Sequence, residues 1–311
     1  LVLVALTSAL STEVVESGPF TSLEQSMLAT ELTGPTRLLG FGVYNAVAAA
    51  AGSLGALAAA APGLVRHVWS GGPTDERWFL LFVPVALGGA VLAGCLSPAV
   101  EELTQPSDRL PTENPTRPAG PSRPTVHRLA GLFALDSFGG GFAVQSFIAY
   151  WLTRRFGAST GIVGLVFFAI GMPPTLSFLS AARLGERVGL LRTMVFSHLP
   201  SNVLLAAVGL APNLAAAILL LLARVALSQM DVPTRQAYVM ALVESQERTA
   251  AAAYTNTARY LARPAGPALA GAAASVWLGA PFVIAGTVKA AYDLVLWAWF
   301  RRVALPEEVL V

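Results

Sequence analysis

The residues placed to do chemistry are ionisable side chains set inside long apolar stretches. Charged residues make up only 12% of the chain. A charge near the centre of a bilayer costs at least about 2.5–3.5 kcal/mol, so each embedded one has to face protein or water. Glu13 and Glu16 stand three apart on one helical face. Two carboxylates so placed raise each other's proton affinity, which suits a site that alternately binds and releases a proton; the competing reading leaves Glu16 solvated at the membrane edge. Asp136 precedes the triplet Gly139-Gly140-Gly141 and then Gln145, and it is a candidate for coupling or for recognition of a cation. Arg259 and Arg263 are four apart and repel one another unless acids or an anion balance them. They are expected to pair with Asp136 or to recognise an anionic substrate. Lys289 and Asp293, also four apart, are expected to neutralise each other. That pair is assigned a structural role, and Gln145, Arg224 and Asn256 complete the polar set assigned to substrate or proton coupling.

These side chains must be carried by membrane helices. The 311 residues are 55% hydrophobic with a mean hydropathy of +0.62. Soluble chains carry about twice this charge, and there is too little polar surface here to keep such a chain dispersed. Apolar stretches of about twenty residues, enough to cross a hydrocarbon core of about 30 Å, lie near 1–18, 38–61, 79–100, 129–152, 160–182, 190–211, 213–232, 250–276 and 281–300. They are too long for strands and lack strict alternation. Interior glycine and proline (Gly52, Gly55, Pro173, Pro174, Pro264, Pro267) suit membrane helices, where neighbours satisfy the freed backbone groups. The chain opens Leu-Val-Leu-Val without a basic leader, which is expected to be the inside of a helix that starts earlier.

Seven prolines mixed with charges between residues 98 and 124 mark one flexible connection. On its side of the membrane the loops hold twelve arginines, against four on the other. The connection and the C-terminus are therefore expected to be cytoplasmic. The chain also repeats itself. A shift of 211 brings Gln25 onto Gln236, Arg37 onto Arg248, Asn45 onto Asn256 and Gly55 onto Gly266, the weak parallel symmetry of duplicated transporters. The second unit starts near residue 128, so its partner would start roughly eighty residues before Leu1, leaving room for about three more helices.

The loop Ala182-Arg-Leu-Gly-Glu186-Arg187-Val-Gly189 resembles the loop signature of the major facilitator superfamily, with Ala182 for its first glycine, Glu for Asp and Leu190 where a base is usual. The runs Gln229-Met-Asp231-Val-Pro233-Thr-Arg235-Gln236 and Gly18-Pro19-Phe-Thr-Ser-Leu-Glu24-Gln25 resemble bacterial members of that family. Arg224 followed by Gln229 is similar to an arginine–glutamine pattern of proton antiporters. The resemblance implies an all-α polytopic bundle carrying nine of twelve helices. Residues 1–100 would be the remainder of the N-terminal bundle, 101–127 a cytoplasmic linker and 128–311 the C-terminal six-helix bundle. It places Asp136 on a helix lining the central cavity. It makes Glu186, Arg187 and Gly189, completed by Asp231 and Arg235, a cytoplasmic gate.

The expected function is a secondary active transporter in the plasma (inner) membrane, proton-coupled and exporting small organic compounds. Nutrient or organic-anion uptake and a non-transporting scaffold are the alternatives. Its partners would be a small-molecule substrate, protons and the lipid bilayer, with a monomeric chain. No basic patch suggests nucleic acid. Cys95 is the single cysteine, and His67, His127 and His198 lack metal-ligand spacing, so neither a metal nor a cofactor is expected. Enzymatic activity is not expected either: there is no glycine-rich phosphate loop, and Ser197-His198 has no acid near it in sequence.

Overall fold

A computed structural model describes residues 24–25, 27–29, 32, 34–58, 69, 80, 82–95, 122–243 and 247–303. Glu13, Glu16 and the first expected span lie outside them. Among the described residues the chain is helical, with no strand. In chain order the helices are α1 (Gly34–Ala58), α2 (Phe82–Gly94), α3 (Ser122–Gly141), α4 (Gln145–Phe156), α5 (Thr160–Val188) and α6 (Leu190–Val208). There follow α7 (Leu214–Ser228), α8 (Asp231–Leu242), α9 (Arg248–Ala262), α10 (Ala265–Val276) and α11 (Ala280–Phe300).

Helix ends follow local chemistry. Ser159 and Asn213 accept hydrogen bonds from the backbone N–H groups of Ile162 and Ala216, capping α5 and α7. Gly157 ends α4 with φ of 67° and Gly189 separates α5 from α6 with φ of 91°, a region that favours glycine. Three expected spans are broken or extended. The stretch 129–152 divides at the glycine triplet into α3 and α4, and α3 already begins at Ser122, inside the segment assigned to the linker. The stretch 250–276 divides at Arg263-Pro264 into α9 and α10, and α8 prolongs the span that starts with α7. Thr36–Gly55, Pro124–Phe156, Thr160–Val188, Leu214–Leu242 and Ala280–Phe300 are long and apolar enough to cross a bilayer.

The distribution of side chains is that of a bundle in lipid. On α1 the exposed face is Leu39, Val43, Val47 and Leu54, while the face turned to protein carries Asn45, Ala46, Ala49 and Ser53. A surface of leucine and valine over a buried asparagine inverts the pattern that water imposes on a surface helix. The small residues let α1 lie close against α5: a Cβ on Gly42 would stand 2.8 Å from the Phe178 carbonyl oxygen. Likewise α10 meets α3 where Gly266 faces Gly141, and a Cβ on Gly266 would stand 2.5 Å from the Gly141 Cα. Neither backbone has room for a side chain there, which accounts for glycine at both positions beside the two helix breaks. Around α8, where α1, α3, α5, α6 and α9 converge, nearly every side chain from Pro233 to Ala241 is buried.

Candidate functional site

Four helices, α3, α6, α8 and α11, bring six ionisable groups together in the interior. Asp136 comes from α3, His198 from α6, Asp231 and Arg235 from α8, and Lys289 and Asp293 from α11, and all six are buried. Lys289 Nζ donates a short hydrogen bond to Asp136 Oδ1. Arg235 lies 3.8 Å from Asp136 Oδ2 and 3.3 Å from Asp231 Oδ2, its guanidinium over the Phe133 ring. His198 Nδ1 is 2.9 Å from Asp293 Oδ1, and its Nε2 is 3.9 Å from Asp136 Oδ1. Asn202, one turn along α6, donates to Asp293 Oδ2 at 2.8 Å.

The local sequence explains how these groups reach each other. The glycine triplet makes room for the lysine: a Cβ on Gly139 would stand 2.9 Å from Lys289 Cγ. Lys289 and Asp293 share a helical face, yet each takes its partner from another helix, which corrects the expectation that they neutralise one another. Asp136 takes Lys289 and Arg235 where Arg259 or Arg263 was expected. Arg259 and Arg263 are half-buried on and just beyond α9, Arg224 is half-buried on α7, and Gln145 starts α4 beyond the glycine break. Asn256 is buried and donates to Gln25 at 3.2 Å. Asp231 and Arg235 sit in the interior with Asp136, whereas Glu186 and Arg187 are exposed, so the structure does not gather these residues into one latch.

His198 and Asn202 are site residues that the sequence did not yield, and Lys289 and Asp293 were expected to be structural only. The acid that His198 meets, Asp293, lies 95 positions away. The available signal was local: a histidine and an asparagine four apart on one face of an apolar helix need polar partners when buried. Hydrogen bonding fixes the imidazole. Nδ1 lies against both Asp293 Oδ1 and, at 3.2 Å, Asn202 Nδ2; an ionised carboxylate only accepts, so Nδ1 donates to Asp293 in that state, and Nε2 faces Asp136. The neighbouring Ser197 hydroxyl donates to the Thr193 carbonyl at 2.7 Å.

Formal charge in the cluster is nearly balanced. Three carboxylates stand against one lysine and one arginine, so a neutral His198 leaves one negative charge in excess and an imidazolium removes it. Hydrogen-bonding capacity is not exhausted. Among the described residues the Ser201 and Tyr292 hydroxyls, Asn202 Oδ1 and Asp231 Oδ1 are buried without a hydrogen-bond partner. Beyond the glycine break, a groove of about 480 Å³ opens between α4 and α10, lined in part by Ser146, Phe147, Tyr150 and Ser275.

The bundle has a solved counterpart. The structure matches that of the human organic anion transporter MFSD10 (TETRAN) with a TM-score of 0.62 and 20% identity, covering 89% of this chain and 66% of that one. The likeness is one of fold, an all-α bundle like that of this transporter. The sequence is 24% identical over 335 aligned positions to the uncharacterized membrane protein YJR124C of Saccharomyces cerevisiae, covering 97% of this chain and 74% of the yeast protein. No family model matches the chain. The chain thus spans about two thirds of the length of the transporter and three quarters of the yeast protein. It is a multi-pass membrane protein with a major facilitator-type bundle.

Proposed function

We propose that this chain is the larger part of a proton-coupled secondary transporter that exports small organic compounds by alternating access. The observation that carries the reading is the buried, nearly balanced cluster around Asp136. Burying six ionisable groups is costly even when they are paired, and a scaffold has no use for a cluster one proton short of neutrality. His198 Nε2 is the position for that proton, between the Asp293-bound Nδ1 and the Asp136 carboxylate. Protonation there strengthens the hold on Asp136 and loosens its dependence on Lys289. The ammonium and the unpartnered hydroxyls then become available to a polar substrate group. In such a cycle, differential binding of proton and substrate to the two states supplies the coupling.

Two observations support a longer functional unit. Gly266 seats against Gly141, but its repeat mate Gly55 has nothing within 4 Å among the described residues, and each described side chain of α2 from Val83 to Val91 is exposed. The repeat register, and the 66% of the matched transporter that this chain covers, also support further helices in the functional unit. The arginine bias supports a cytoplasmic C-terminus. Uptake of an organic anion is the second reading, favoured by the substrate class named for the structural neighbour and by half-buried Arg224, Arg259 and Arg263.

The test is gradient-driven transport in sealed everted vesicles carrying the longest reading frame that contains this chain, with a panel of labelled organic cations and anions. Accumulation that collapses with a protonophore and is lost in Asp136→Asn supports the reading. Accumulation of anions alone, with the gradient reversed, favours uptake. Equal accumulation in Asp136→Asn and parent rejects Asp136 as the coupling group.

A further inference from the structure

The residues that reveal the repeat also touch each other across it. Asn45 Nδ2 on α1 donates to Gln236 Oε1 on α8 at 2.7 Å, and Asn256 Nδ2 on α9 donates to Gln25 Oε1 at 3.2 Å. The shift of 211 that superposes the two units carries Asn45 onto Asn256 and Gln25 onto Gln236. Each asparagine therefore bonds the glutamine of the other unit, and the two bonds are copies of one contact related by a two-fold axis between the units. Contacts of this kind are reciprocal by symmetry, as at an isologous dimer interface. Chance similarity between two alanine-rich segments does not produce them.

All four amides are buried: Asn45 is 0% exposed, Gln25 and Gln236 are 3% and Asn256 is 8%. Yet neither pair uses its full capacity, because Asn45 Oδ1 and Gln25 Nε2 have no partner among the described residues. An amide pair buried with a leftover donor or acceptor is specific in geometry but weak in net stability, since the orphan atom offsets the bond that is made. Such a contact suits two surfaces that must meet in one register and then separate.

Placement ties these contacts to the charge cluster. Gln236 follows Arg235 directly on α8, so one residue reaches across to α1 while its neighbour holds Asp136 and Asp231. Moving Gln236 away from Asn45 shifts the turn of α8 that aims the guanidinium. We infer that Asn45–Gln236 and Gln25–Asn256 form a single two-fold amide clamp that closes the two repeat units on one another. It releases as a unit, and α8 links its opening to the Asp136 cluster. Its role in transport rests on the alternating-access reading; its existence as one cooperative device does not.

The test uses cysteine pairs in a Cys95→Ser background of the full-length protein in its membrane, with a protease site in the proline-rich connection. Both pairs straddle that connection, so a disulfide holds the two proteolytic fragments together on a non-reducing gel. Asn45→Cys with Gln236→Cys and, separately, Gln25→Cys with Asn256→Cys should each cross-link. Asn256→Ala should slow oxidation of the first pair by roughly fivefold, the scale of one buried hydrogen bond. Asn45→Ala should slow the second by the same factor, because coupling is reciprocal. Either disulfide should abolish transport until it is reduced. Unchanged oxidation rates after alanine replacement of the other pair, in protein that remains monodisperse, overturn the single clamp. Undiminished transport by the locked protein overturns its role in the cycle. Coupled oxidation in a protein that transports none of the probes leaves the clamp standing and counts against the transporter reading alone.

Discussion

The two copies of the repeat agree at their amides and part company one residue earlier in sequence. Glu24 and Arg235 occupy the same repeat position. In the first copy Glu24 is exposed and accepts a hydrogen bond from the Tyr44 hydroxyl. In the second, Arg235 is 3% exposed and neutralises Asp136 and Asp231. Tyr44 has Thr255 as its counterpart, which turns back to bond the Ala251 carbonyl at 2.8 Å. The two copies thus share a symmetric frame, and only the second carries a buried charge at this position. The polar contacts that the copies share hold the units together, while those that differ mark the chemistry.

That contrast is broken most directly by removing one charge from the second copy. Lys289→Met leaves Asp136 buried without its principal cation, and losing one partner of a buried pair costs about 3–5 kcal/mol. A large fall in the thermal midpoint of the purified protein is expected. Combining Lys289→Met with Asp136→Leu should recover much of that loss without restoring transport, because apolar replacement of both partners removes the stranded charge. A double variant as unstable as the single one would mean that the pair is held for packing alone.

A smaller effect is expected at the close approach behind the site. Gly141→Ala places a methyl group against the Arg263 carbonyl oxygen and Gly266, and overpacking of this kind costs about 1–3 kcal/mol. The same substitution at Gly55, the mate of Gly266, should be neutral or slightly favourable in this chain, since glycine is a poor helix former and nothing crowds that position among the described residues. Thermal melts of the two variants side by side measure the difference. If Gly55→Ala is as damaging as Gly141→Ala, the two units are more alike than the approach of α3 and α10 indicates.

The smallest effects belong to the exposed charges. Glu24→Gln, Glu186→Gln and Arg187→Gln should each change stability by less than about 0.5 kcal/mol, as surface substitutions do. Arg235→Gln, at the same repeat position as Glu24, should cost several times more. Equal costs at residues 24 and 235 would erase the asymmetry between the copies.

Much of this organisation was legible in the sequence. Long apolar stretches marked most of the helices, whereas the caps at Ser159 and Asn213 and the positive-φ glycines 157 and 189 emerge only in the structure. The register of Gln25, Asn45, Gln236 and Asn256 anticipated the symmetry that their hydrogen bonds display. The pairing of charges was not legible, because spacing along one helix gives only local neighbours. Lys289 and Asp293 satisfy the i, i+4 rule, but glycine at position 139 opens a better partner across the bundle. Asp231 and Arg235 read as the end of a helix because the run beyond them is polar. In the structure α8 continues that run into the interior, surrounded by five helices. His198 stayed hidden because its partners come from α3 and α11.

The central claim is that the Asp136 cluster couples a proton to substrate movement. The measurement that tests it most directly is the proton flux accompanying substrate addition, followed with a pH-sensitive dye inside proteoliposomes of the full-length protein, for the parent and His198→Gln. Substrate-dependent proton movement in the parent that disappears in His198→Gln, while the variant still exchanges substrate down its own gradient, is the predicted result. Proton movement of equal size in both proteins would contradict it.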